Sequence, residues 1–303
     1  MPLFCNEIVL SQNPQIFDLD LIESYRHRAL KHKDSGVDFL LKRMALDLEE
    51  RLQPVERIFE NALDLHGFNG VVADSMGRSQ KVKSITRIET NKHFVDDTYN
   101  ALIRSREFLD LPAESADLIV SLLSLHLTND TPGVFIQIRQ ALRPDGLFLA
   151  CLAGAGTLGE LRESLLQAEN EIYGGVSPRI YPFIDVRDAG ALLQRAGFAM
   201  PVSDIESVTV RYDNAFDLMR DLRQMGMQNA LFDRSRRPVS KRFFMRVAEI
   251  YASRFADSDG RIRATFNFVW LSGWAPHPDQ QKPSKRGSAK VSLADVLMPP
   301  KSN

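Results

Sequence analysis

The segment Asn61–Asp74, NALDLHGFNGVVAD, decides how the rest of the chain is read. Its first half is apolar enough for a buried strand, and its second half, Gly67 to Gly70, has the composition of a turn. A strand, a glycine-containing turn and an acidic residue about 20 positions on are the usual trace of an adenosine-containing cofactor. The turn lets backbone approach the ligand, and the acid takes ribose hydroxyls. Glu89, closing SITRIE, stands in the acidic slot. His66 and Phe68, however, put side chains where close approach favours glycine. The same residues also satisfy a purely structural strand-turn, with Asp64 orienting the backbone of its own turn.

Outward from this point, short apolar runs alternate with amphipathic segments. Strands are predicted near 62–65, 83–89, 103–108, 117–125 and 147–152. A helix is predicted from Thr131, as N-cap, to the stop at Pro144 and Gly146. Alternation at this spacing predicts a doubly wound α/β domain, a mostly parallel sheet with helices on both faces and ligands beyond the carboxyl ends of the strands.

Upstream, 21–60 carries Leu40, Leu41, Met44, Leu46, Leu48 and Leu52 at helical spacing, which predicts one long amphipathic helix ended or bent by Pro54. Downstream, Thr157 and Glu160 predict a capped helix. A second helix follows over 185–198, ended by Gly197. A strand over 202–212, helices from Asn214 and over 241–255, and a last strand from Ile262 complete the domain. Phe266, Phe268, Trp270 and Trp274 share one face of that last strand and are read as core. The division expected is an N-terminal helical segment (1–58), an α/β domain (59–276) with a helical insertion around 214–256, and an extended basic tail (277–303).

The chain has 303 residues, 44% hydrophobic and 25% charged, with a net charge of −1. That suits a soluble globular protein and gives no global field for nucleic acid. Cys5 and Cys151 form no metal or redox pair. The six histidines are scattered, and no metal site is predicted. No secretory leader and no apolar run of about 20 residues is recognisable, so a reducing, cytoplasmic setting without a transmembrane segment is expected. The oligomeric state is not legible.

Longer segments carry a family resemblance: SLLSLHLTND (121–130), IRQALRPDGLFLACLAGAGTLGELRESL (138–165), GGVSPRIYPFIDVRDAGALLQRAGF (174–198), FDLMRDLRQMG (216–226) and ATFNFVWLSGWAPHPDQQKPSKRGSAKVSL (264–293). From about Phe39 to Val291 the chain resembles the subfamily 5 assembly factors of mitochondrial respiratory complex I and their alphaproteobacterial relatives. More distantly it resembles the malonyl-carrier-protein methyltransferase of biotin synthesis. The resemblance implies a seven-stranded, class I S-adenosylmethionine-dependent methyltransferase fold, with a protein substrate or a complex I subunit as partner. For the mitochondrial members it implies arginine hydroxylation.

Carried over by position, Asp64 to Gly70 fall on the family's D-L-G-C-G-x-G loop. Gly70 keeps a motif glycine, and Gly67 stands at the cysteine. Glu89 falls on the ribose acid, Phe108 and Leu109 on the segment beside the adenine, and Ser124 on the cofactor side of the 121–130 segment. His126, the catalytic candidate, is followed by Leu127 where the family has tryptophan. The resemblance therefore implies S-adenosylmethionine as cofactor, while His66 and Phe68 predict that its binding is weak, altered or absent. Methyl transfer, arginine hydroxylation and a non-catalytic assembly role stand as the three functional expectations.

Overall fold

The computed structural model describes residues 15–31, 36 and 38–279. Two helices, α1 (Leu19–Lys31) and α2 (Phe39–Leu52), precede the sheet. Then come β1 (Phe59–Leu65), α3 (Val71–Arg78), β2 (Val82–Glu89), β3 (Asn100–Ile103), β4 (Ala116–Leu122), α4 (Thr131–Ala141) and β5 (Leu142–Ala153). The second half holds α5 (Gly159–Tyr173), α6 (Val186–Arg195), β6 (Ala199–Tyr212), α7 (Ala215–Gln224), α8 (Lys241–Phe255) and β7 (Ile262–Trp274).

The seven strands form one sheet in the order β3-β2-β1-β4-β5-β7-β6. β1 pairs in parallel with both β2 and β4, and only β7 runs against its neighbours. The strand order therefore reverses beside β1, and the crevice above its carboxyl end is where such sheets bind ligands.

The alternation of side chains explains why both faces are covered. Leu118, Val120 and Leu122 enter one cluster and Ile119 the other. Phe266, Phe268 and Trp270 lie on the first face, Val269 and Leu271 on the second. The predicted aromatic stripe is thus core, with Trp274 packed at its edge.

The single long N-terminal helix expected from the sequence is two helices. In α2, Leu40, Met44, Leu48 and Leu52 recur every fourth residue and are buried against Phe59 and Trp270, while Leu46 is 57% exposed. This helix belongs to the main core. The strand expected at 103–108 lies earlier, at 100–103, where its backbone pairs with β2.

Two expected caps are also different. Asp130, not Thr131, caps α4 by accepting the Gly133 N–H. Thr157 donates to the Asn267 carbonyl and Glu160 accepts from Thr265, so α5 starts without the expected capping box. Asn214 caps α7 as expected, accepting from Phe216 and Asp217 N–H. Asn214→Ala is expected to lower stability by about 1 kcal/mol, read from denaturant midpoints at unchanged slope. Gly197 ends α6 with φ +86°. The basic stretch with Lys282, Lys285, Arg286 and Lys290 lies outside the described residues.

Candidate functional site

The loop from β1 to α3 keeps a glycine-type backbone without the glycines. His66 and Phe68 have φ of 58° and 70°, and Gly70 has 83°. Left-handed backbone costs roughly 1–2 kcal/mol for a residue with a Cβ. The surrounding contacts must hold it there. Gly67 is required for another reason: a Cβ on it would stand 2.2 Å from Asp64 Oδ1. Gly67→Ala is expected to destabilise the fold by about 2 kcal/mol, with far-ultraviolet dichroism unchanged at room temperature.

Asp64 and Glu89 point beneath this loop into a buried cluster organised by Arg87, two residues from Glu89 and so on the same face of β2. Arg87 Nη2 donates to Glu89 Oε1 at 2.8 Å, and its Nε lies 3.4 Å from Asp64 Oδ2. All three side chains are sealed, at 0–1% exposure. Glu89 Oε1 also accepts the Phe68 N–H at 2.8 Å, tying the acid to the loop. Burial, then the Asp64 charge, push the Glu89 carboxyl up to about 7. Burial pushes Asp64 up to about 6 against the pull of Arg87.

Three further amides around the loop bond within the protein. His66 N–H donates to Ile88 O, Asn69 N–H to Gly67 O and Val71 N–H to Asn69 Oδ1.

Helix α1 closes over this arrangement. The Arg26 guanidinium stacks 4.9 Å from the Phe68 ring centre. Glu23 accepts from Arg106 Nη2 at 2.8 Å and from Thr90 Oγ1 at 2.5 Å, and Arg106 Nη1 donates to Ser124 Oγ at 2.7 Å. His66 is fully buried with neither ring nitrogen paired. Burial, reinforced by Arg106 and Arg26, holds its pKa well below the usual imidazole value.

A cavity of about 430 Å³ opens beside this cluster, above the ends of β1, β4 and β5. Phe68, Leu123, His126, Leu158 and Tyr181 line it. The catalytic candidate His126 reaches this space, as do Phe68 and Asn69 of the loop, but none of the residues expected to bind the cofactor does. Asp64, His66, Gly67, Gly70 and Glu89 lie under or within the loop, Ser124 is buried beside Arg106 beyond β4, and none of the six lines the cavity. Phe108 is 65% exposed on a separate depression, and Leu109 is buried in the core with its N–H bonded to Gln137, so neither borders the cavity.

His126 is also unlike the base expected of it. Burial, then Arg26 and Arg106, depress its pKa to about 3, so it is a neutral ring and a weak proton acceptor.

The sequence reading missed Arg26, Arg87, Arg106 and Glu23. Arg87 alone left a signal: a charge at the position alternate to Glu89 in a strand read as buried. Among the described residues no group of three His, Cys, Asp or Glu side chains converges as a metal site.

As arranged, these residues do not fit S-adenosylmethionine. The acid that would take the ribose is 1% exposed and occupied by Phe68 and Arg87, and the amides of His66, Phe68 and Asn69 bond internally.

The family model of the methyltransferase domain matches residues 66–150. The chain is 35% identical over 300 residues to "Arginine-hydroxylase NDUFAF5, mitochondrial" of Danio rerio, covering 94% of this chain and 90% of that protein. With the Homo sapiens protein of that name it is 34% identical, covering 94% and 86%. A malonyl-[acyl-carrier protein] O-methyltransferase of Methylovorus is 32% identical over 74% of this chain and 69% of its own length. Among solved structures, the YcgJ protein of Bacillus subtilis superposes with a TM-score of 0.54 at 14% identity, over 78% of this chain and 99% of that one. The likeness at that identity is of fold, and it agrees with the seven-stranded sheet. Taken with the near full-length similarity, these features place the chain in the NDUFAF5 family of methyltransferase-fold proteins.

Proposed function

We propose that this chain is a protein-modifying enzyme serving respiratory complex I assembly, with its ligand held in the cavity beyond β4. The observation that carries the reading is the position of that cavity at the reversal of strand order, where His126 and Leu123 from the β4 exit line it. The formal class is methyltransferase, supported by the domain match over 66–150. The sealed Glu89 makes affinity for S-adenosylmethionine low, since binding has to break the acid's bonds to Phe68 and Arg87. The relatives' name adds hydroxylation of arginine as the competing reaction.

A second reading, an assembly protein without catalysis, is favoured by the sealed Glu89 and the internal bonds of the His66, Phe68 and Asn69 amides. No helix among the described residues is long and apolar enough to cross a membrane. A cytoplasmic site of action is part of the proposal.

The test is mass spectrometry of complex I subunits from cells with and without the protein. A methylene mass gain dependent on the chain supports methylation, and an added oxygen supports hydroxylation. Failed assembly with unchanged subunit masses overturns the enzyme reading in favour of the assembly role.

A further inference from the structure

The cavity lining is mostly apolar, with Leu41, Ile180, Leu222, Met225 and Phe266 among its residues. Of its charged residues, Asp38 pairs with Lys42 and Arg179 with Glu169. Arg26 and His126 line it as well.

Arg26 is only 6% exposed, its Nε has no hydrogen-bond partner, and its Nη2 reaches only the Leu123 carbonyl, at a long 3.5 Å. The nearby carboxylates are committed: Glu23 to Arg106 and Thr90, Glu89 to Arg87 and the Phe68 N–H. Among the described residues no carboxylate forms an ion pair with Arg26. Burial and the repulsion of Arg106 lower its pKa to about 10, which still leaves it charged at neutral pH. Glu23 and Glu89 offset part of this charge from a distance, but a buried guanidinium without a directly paired carboxylate is costly and is the natural partner for an anion entering the cavity.

His126 adds a second donor. Its Nδ1 faces the Ala153 N–H at 3.5 Å, which leaves the proton of the neutral ring on Nε2. Nε2 is buried with no partner.

We infer that this cavity binds an amphiphilic monoanion, a free medium-chain carboxylate. The head lies against Arg26 and the His126 Nε2–H, and the hydrocarbon body lies along the leucine, methionine and phenylalanine walls. The volume, about 430 Å³, is in the range of small-molecule sites, roughly 300–1,000 Å³. The inference rests on the reading that the cavity is the ligand site and narrows its chemistry. An arginine side chain placed beside Arg26 would meet it as a like charge.

Titrating the full chain with decanoate, decanol and decyltrimethylammonium tests it. Decanoate is expected to bind about tenfold or more tighter than either of the others. Arg26→Gln is expected to abolish that preference while leaving decanol affinity unchanged. The comparison of three head groups on the native chain stands alone if the variant does not fold. Equal affinities, preference for the cation, no binding by any of the three, or displacement of decanoate by tighter-binding S-adenosylmethionine would overturn the inference. The outcomes are separable from those of the functional proposal: unmodified complex I subunits leave a carboxylate preference standing, and a missing preference leaves a mass change standing.

Discussion

Glycine restored at positions 66 and 68 is expected to give the chain a tighter site for S-adenosylmethionine than the native loop offers. Both residues already hold left-handed backbone, so glycine enters without rearranging the turn and removes roughly 1–2 kcal/mol of strain at each. His66→Gly also deletes a buried imidazole whose nitrogens are unpaired, a group that costs roughly 1–3 kcal/mol to bury in that state. Phe68→Gly removes the ring that packs 5.5 Å from Phe94 and lies beneath Arg26, opening the space over Glu89. The double variant should therefore bind the cofactor about tenfold or more tighter than the native chain by calorimetry, because one charge-assisted contact of the sealed acid becomes easier to exchange. Unchanged affinity in a folded double variant would show that closure resides in α1 and Arg87 rather than in the two side chains.

Arg87→Met is expected to be the most damaging single change, costing about 3–5 kcal/mol at pH 8, because it strands two buried carboxylates. The loss should shrink on acidification. Glu89 binds its proton more tightly folded than unfolded, about 7 against 4.5, so its contribution is fully present below pH 4.5 and is lost as pH rises through about 7. Asp64 behaves alike between 3.8 and about 6. The buried histidines oppose this: their contribution is present above 6.5 and is lost as pH falls, for His126 toward about 3.

In the native chain the two trends offset each other over the acid range. Without the Arg87 cation the carboxylates dominate, and denaturant midpoints of the variant should fall steeply from pH 5.5 to 8 relative to the native protein. A pH-independent difference would show that Arg87 acts by packing alone.

The α/β architecture was legible in the sequence because buried parallel strands read as continuous apolar runs, and Pro and Gly punctuate the helices between them. The boundary errors have local causes. Residues 103–108 begin at Ile103 and end at Phe108, apolar residues that suit a strand, yet the backbone leaves the sheet after Ile103. At the start of α4, Asp130 and Thr131 are both good caps by residue type, and only geometry shows that the Asp130 carboxylate meets the Gly133 N–H.

The candidate site was legible as far as its loop. Positive φ at His66 and Phe68 is what the motif positions predict. Arg26 and Arg106 could not be found, since each reaches the loop from a distant part of the chain and neither belongs to a periodic pattern. Their arrival makes the difference between a weakened cofactor motif and a sealed one.

Calorimetric titration of the native chain with S-adenosylmethionine tests the central claim most directly. The account predicts no saturable binding tighter than about 100 μM, corresponding to roughly −5.5 kcal/mol. Saturable binding at low micromolar concentration, lost in Glu89→Ala, would contradict it.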